Sequence, residues 1–192
     1  MAQPPLGSDL LYSLASLDRT VVLVGLMGAG KTRVGSQLAR VLGLPFVDSD
    51  HEIEKAAGMR ITDIFDLYGE PAFREVELKV IDRLLQPPVK ILATGGGAFI
   101  QDGVRTLIKS QAISIWLKAD LETLVTRTAR STARPLLQTE NPAVVLDVLM
   151  QRRYPVYAEA DIVVESADQT PAEMVKMICE ALANHLDARH SS

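Results

Sequence analysis

The sequence holds a single cysteine, Cys179, so it offers neither an intramolecular disulfide nor a cysteine cluster for zinc. A stapled secreted domain is thereby excluded, and the cytoplasm is the expected compartment. Basic charge is not in excess either. Twenty Lys and Arg against 24 Asp and Glu give a formal net charge of -4 and a pI near 5.4. No general basic surface exists to neutralise nucleic-acid phosphates or to hold an anionic membrane, so neither is expected as a partner and any anion site must be local. No apolar run approaches the ~20 residues that span a bilayer. The opening residues carry Asp9 and Asp18 without a basic segment, so insertion and export are not expected. No internal repeat is visible.

What is present fits one compact domain: 192 residues, 47% hydrophobic and 23% charged. Runs rich in Val, Ile and Leu alternate with longer segments of helical period, the pattern of a parallel sheet covered by helices. Strands are predicted at Thr20–Val24, 45–48, 90–94, 113–117 and 161–164. Helices are predicted over Lys31–Leu42, across 50–86 with breaks near Gly58 and Gly69, and over 104–108, 144–153 and 171–186, with a further one capped by Asp120. Thr62 reads as a cap, and Glu70-Pro71 as the opening of a helix. Residues 1–18 are expected to form an arm outside the core of a domain over 19–188, with the polar, proline-bearing stretch 128–142 as a lid and 50–86 as the acceptor-binding region.

Gly25-Leu26-Met27-Gly28-Ala29-Gly30-Lys31-Thr32 fits G-x-x-x-x-G-K-[ST] where a buried strand gives way to a helix, the context that this phosphate-binding loop requires. Glycines let the backbone N–H groups converge on phosphate oxygens, and the helix start adds its positive dipole end. Lys31 supplies a cation, and the Thr32 hydroxyl suits Mg²⁺. Such a cradle could serve a GTPase, an ATPase motor or a kinase, so other residues must decide.

Three clusters bear on that choice. Asp48-Ser49-Asp50 ends the second strand, where Asp48 could serve a metal and Asp50 could act as base or orienting group for an acceptor hydroxyl, or merely cap the next helix. Thr94-Gly95-Gly96-Gly97 follows a buried strand, where bare backbone could approach a substrate or simply turn. Arg74, Arg134 and Arg153 could pair with carboxylate or phosphate, although single arginines are commonly solvated surface residues. His51 reads as an exposed first-turn residue, and Cys179 and Trp116 read as core.

With Gly28-Ala29-Gly30-Lys31-Thr32, Asp48-Ser49-Asp50, Phe73-Arg74, Gly95-Gly96-Gly97, Arg134-Pro135-Leu136-Leu137 and Arg153 in order, the sequence resembles the shikimate kinases over nearly its whole length. The resemblance implies a P-loop NTPase fold of nucleoside-monophosphate-kinase type, a three-layer αβα arrangement with a five-stranded parallel sheet. It implies MgATP-dependent phosphorylation of the shikimate 3-hydroxyl by what is expected to be a monomer. Carried over, catalysis would fall to Asp50, Lys31 and Arg134. ATP would be held by Gly28, Ala29, Gly30, Lys31, Thr32, Arg33, Arg127, Arg134 and Gln169. Asp50 would hold the shikimate hydroxyls, Arg74 and Arg153 would clamp its carboxylate, Gly96 with Gly95 and Gly97 would offer backbone, and Phe65, Phe73 and Glu77 would line the pocket. Thr32 and Asp48 would serve Mg²⁺, Asp48 through water. Gluconate kinase is the nearest alternative enzyme, and a ligand-sensing module the alternative of another class. A degenerate sensor would be expected to lose Lys31, Asp50 or Arg134, and all three are present.

Overall fold

A computed structural model describes residues 7–129 and 141–190. Five strands, β1 (Thr20–Val24), β2 (Phe46–Asp48), β3 (Ile91–Ala93), β4 (Ala112–Ala119) and β5 (Ile162–Ser166), pair in parallel in the order β2-β3-β1-β4-β5. Central β1 is buried at every residue and, after Thr20, is correspondingly apolar, whereas edge strand β5 alternates buried and exposed residues. The strand predictions hold, with β4 longer than expected at both ends.

Eight helices flank the sheet among the described residues: α1 (Ser8–Leu14), α2 (Lys31–Leu42), α3 (Ser49–Ala57), α4 (Ile61–Leu85), α5 (Asp102–Gln111), α6 (Leu121–Ala129), α7 (Pro142–Tyr157) and α8 (Pro171–His190). A short 3₁₀ turn spans Ala98–Ile100. The core joins Val21 to Val24, Ile91, Leu92, Ile113 and Ile115 of the sheet to Leu38, Ile81, Ile108, Ile178 and Leu182 of the helices. Cys179 and Trp116 belong to it, as expected. His51 is exposed.

Two expectations need correction. Residues 8–17 are not an arm outside the core: α1 packs on α8, Leu14 is buried in the main cluster, and Ser13 Oγ lies 3.5 Å from Asp187 Oδ2. The apolar positions Leu10 and Leu14, one turn apart, supply the face that drives this docking. Thr62 is not a cap either, because α4 starts at Ile61 and the Ile61 N–H donates to Glu54 Oε1 at 3.0 Å. A carboxylate from α3, rather than a local hydroxyl, does the capping.

Helix α4 is two helical segments meeting at Gly69, whose φ of 78° and ψ of 173° are non-helical. A positive φ there suits only glycine without strain. Pro71 occupies the first turn of the second segment, where its missing N–H costs nothing. The bend lays the Phe65 ring against Phe73, 4.6 Å between centroids, and the second segment carries Arg74 and Glu77. Helices α6 and α7 take up both ends of the expected lid; Arg134 and residues 130–140 lie outside the described residues.

Candidate active site

Strands β1, β2 and β3 run side by side and end together, so the loops that follow them converge where open parallel sheets bind ligands. After β1 the phosphate loop curls through Gly28 at φ 87° and Gly30 at φ 94°, left-handed conformations that set the backbone turning into α2. Gly30 is the residue preceding the helix, and Ala29 and Lys31 are buried. The Lys31 ammonium donates to the carbonyls of Gly25 at 2.7 Å and Leu26 at 3.0 Å, so its charge sits over the loop. Arg33 lies exposed on the first turn of α2.

After β2, the ambiguity over Asp50 resolves. Asp48 is the helix cap: its Oδ1 accepts from the Asp50 N–H at 3.0 Å, while its Oδ2 accepts from the Thr32 hydroxyl at 2.8 Å. The Asp50 carboxylate is thereby released from capping. Burial pushes its pKa up from the ordinary 3.8, and the Asp48 charge pushes the same way, while Lys31 and Arg74 pull it down. Ser49 between them is fully buried, and its Oγ accepts from the Gly95 N–H at 3.2 Å, tying the β2 end to the β3 end.

After β3, none of the three glycines adopts positive φ. Space rather than backbone conformation accounts for Gly95 and Gly97, where an added Cβ would displace a side chain. A Cβ on Gly95 would stand 2.5 Å from Asp50 Oδ1, and one on Gly97 would stand 2.7 Å from Arg74 Nη2. Gly96 abuts the phosphate loop, 3.4 Å from the Met27 nitrogen to a Cβ placed there, and its carbonyl accepts from Arg153 Nη1 at 3.1 Å. Asp50, Arg153 and Arg74 thus meet three consecutive residues, each at its own glycine.

Arg74 is held from both sides by helical neighbours. Its Nη1 donates to buried Glu77 at 2.6 Å, and its Nε and Nη2 donate to Glu70 Oε1 at 3.1 and 2.9 Å. Burial opposes the guanidinium charge, but these carboxylates outweigh it and raise the pKa. Glu77 is itself pushed up by burial against the pull of Arg74, and Gln101 Nε2 also donates to it. The Arg74 guanidinium carbon lies 5.1 Å from the Phe73 ring centre. Glu70, Pro71, Arg74, Gly97, Ile100, Gln101 and Arg153 enclose a cleft of about 450 Å³. Phe73 and Glu77 lie buried behind it and reach it through Arg74.

Beyond β5, Arg127 donates to Ser166 Oγ at 2.8 Å and to the Ala167 carbonyl, while Gln169 Oε1 accepts from the Ala167 N–H at 2.7 Å. These two therefore meet on the loop after β5, and Ser166 Oγ in turn lies 3.4 Å from the Ala29 carbonyl of the phosphate loop.

The family model for shikimate kinase matches residues 27–183. A shikimate kinase from Paramagnetospirillum magneticum is 54% identical over 185 residues, covering 94% of this chain and 95% of that relative. The chain belongs to the shikimate kinase family. As a shikimate-kinase-family member it is an ATP-dependent small-molecule kinase on a P-loop fold. Among solved structures, a shikimate kinase from Acinetobacter baumannii in complex with shikimate superposes with a TM-score of 0.81 at 38% identity, covering 95% of this chain and 99% of that one. A gluconokinase from Sinorhizobium meliloti, 19% identical with a TM-score of 0.61 and covering 91% of this chain and 97% of that one, shares the fold alone.

Sequence reasoning overlooked Glu70, Gln101 and Ser49. Glu70 and Glu77 stand four before and three after Arg74, so helical spacing could have found them as its partners. Nothing local to Gln101 or Ser49 signals a role, because each acts across the fold.

Proposed function

We propose that the chain transfers the γ-phosphate of ATP to the 3-hydroxyl of shikimate, giving shikimate 3-phosphate and ADP. The observation that carries this is the convergence of Asp50, Arg153 and Arg74 on Gly95, Gly96 and Gly97 directly beside the phosphate loop. Two guanidinium groups pair with the carboxylate of the acid, and Asp50 holds its hydroxyls. The acceptor oxygen bonds to the γ-phosphorus as the bridge to the β-phosphate breaks, and the hydroxyl proton passes to Asp50. Lys31 stabilises charge on the transferring group, with Arg134 assigned the same work from the lid.

The Thr32 hydroxyl and the Asp48 carboxylate, 2.8 Å apart at the cradle, form an oxygen donor pair of the kind Mg²⁺ prefers. Thr32 would hold the ion directly and Asp48 through water. Held there, the ion would supply positive charge to offset that of the phosphates. Gly28, Ala29 and Gly30 supply loop N–H groups to the phosphates, with Arg33 at their edge, and Arg127 and Gln169 shape the adenine side. A single catalytic domain that takes in α1 together with residues 19–188, acting in the cytoplasm as a single chain, completes the proposal. No helix among the described residues is long and apolar enough to cross a membrane.

ADP release should be measured with shikimate, quinate, gluconate and nucleoside monophosphates as acceptors, with Mg²⁺ and after chelation. Shikimate is expected to give the highest turnover, which chelation abolishes and Mg²⁺ restores. A preference for gluconate would favour the other kinase, and no turnover with any acceptor would favour a sensing module.

A further inference from the structure

Three successive glycines carry the largest backbone entropy of any such turn, yet here they must hold one carboxylate and two guanidinium groups in register. Something must pin them. The Ala98 N–H donates to the Gly95 carbonyl at 3.1 Å, and Ser49 accepts from the Gly95 N–H, which fixes the first glycine. The middle one is fixed by its carbonyl, which accepts from Arg153 Nη1 at 3.1 Å and from the Tyr157 hydroxyl.

We propose that Tyr157 is a positioning residue for the acceptor: its hydroxyl anchors the Gly96 carbonyl, so that the glycine turn keeps its place between Asp50 and Arg74 while Arg153 remains available to the acid. Because the C=O and N–H of a trans peptide point in opposite directions, holding the Gly96 oxygen also sets the direction of the Gly97 N–H at the cleft wall. The Tyr157 ring is built for the task. It is 1% exposed, stacks 6.5 Å from Phe99, which follows the glycine turn, and lies 5.9 Å from Trp116 on β4. Burial pushes the phenol up to about 12 despite the nearby Arg153 charge, so the hydroxyl keeps its proton and donates throughout the working range. Without it, Arg153 would be the remaining side-chain donor to that carbonyl, and the pull of the carbonyl would compete with the substrate carboxylate.

The inference rests on the proposed clamp of shikimate by Arg74 and Arg153, and the two can fail separately. Tyr157→Phe keeps the ring and removes one hydrogen bond. Tyr154→Phe is the control, since Tyr154 sits on the same helix in the same aromatic cluster but donates to the Ala119 carbonyl, away from the glycines. Tyr157→Phe is expected to raise the KM for shikimate about fivefold or more, with the KM for ATP within about twofold of wild type. Tyr154→Phe is expected to leave both within about twofold. A shikimate KM unchanged in Tyr157→Phe, equal rises in both KM values, or the same rise in Tyr154→Phe would overturn the assignment. So would a Tyr157→Phe protein melting about 10 °C or more below Tyr154→Phe, which would give the hydroxyl to the fold. Absence of shikimate turnover in the wild type would instead remove the underlying proposal.

Discussion

Asp50→Asn is expected to lower kcat by about 10²–10⁴, the range that a positioned general base supplies, without lowering the melting temperature at neutral pH. The first half of that result follows from the proposed role of Asp50 as base, and the second from its electrostatics. Burial and Asp48 raise the Asp50 pKa above its ordinary value. A carboxyl group with a folded pKa above its unfolded one contributes stability at pH values below the unfolded pKa, and that contribution is lost as pH rises through the folded pKa. At neutral pH the ionised group is therefore a cost to the fold, retained for chemistry, and its neutral isostere is expected to melt at the same temperature or higher. The same shift places the acid limb of the kcat/KM profile above the pH of an ordinary aspartate, and that limb should vanish in the variant. Steady-state kinetics across pH with paired melting curves checks both; wild-type turnover, or a large loss of stability, would contradict the role.

Lys31→Ala is expected to reduce kcat by about 10²–10³, the effect of removing one preorganised charge-stabilising group. Its fold should survive. The bonds lost include two to loop carbonyls, worth about 0.5–1.5 kcal/mol each after solvent exchange, and for a domain of this size 1 kcal/mol moves the melting temperature by about 2–4 °C. The KM for shikimate should change little, because Lys31 stands on the phosphate side. Single-turnover phosphoryl transfer, together with thermal melting, reads these apart, and wild-type turnover in Lys31→Ala would remove the cradle from the mechanism.

The sequence was most legible where function and local structure share the same few residues. A buried strand running into Gly25 to Thr32 announces both the cradle and the central strand, and the apolar run of β1 follows from burial on both sides. The reason for Gly95-Gly96-Gly97 was less legible. Bare backbone suggested approach to a substrate, whereas what these glycines admit is the side chains of Asp50 and Arg74. That fact lives in tertiary packing between segments 45 and 23 residues apart, beyond any local pattern. Asp48 and Asp50 look equivalent as letters, and only the turn geometry makes one the cap and the other the free carboxylate. Similarly, Leu10 and Leu14 carry a short helical face whose partner, α8, lies at the far end of the chain. Tyr157 carries no local sign of its role, because its hydroxyl meets Gly96, 61 residues away.

The claim beneath all of these is that two guanidinium groups on the glycine turn select an anionic acceptor and present its hydroxyl to Asp50. Comparing kcat/KM for shikimate with that for its methyl ester, same ring and hydroxyls but no carboxylate charge, tests it most directly. Two charge-assisted contacts at about 1.5–3 kcal/mol each predict a preference for the acid of at least about 10². An ester turned over as well as the acid would contradict it.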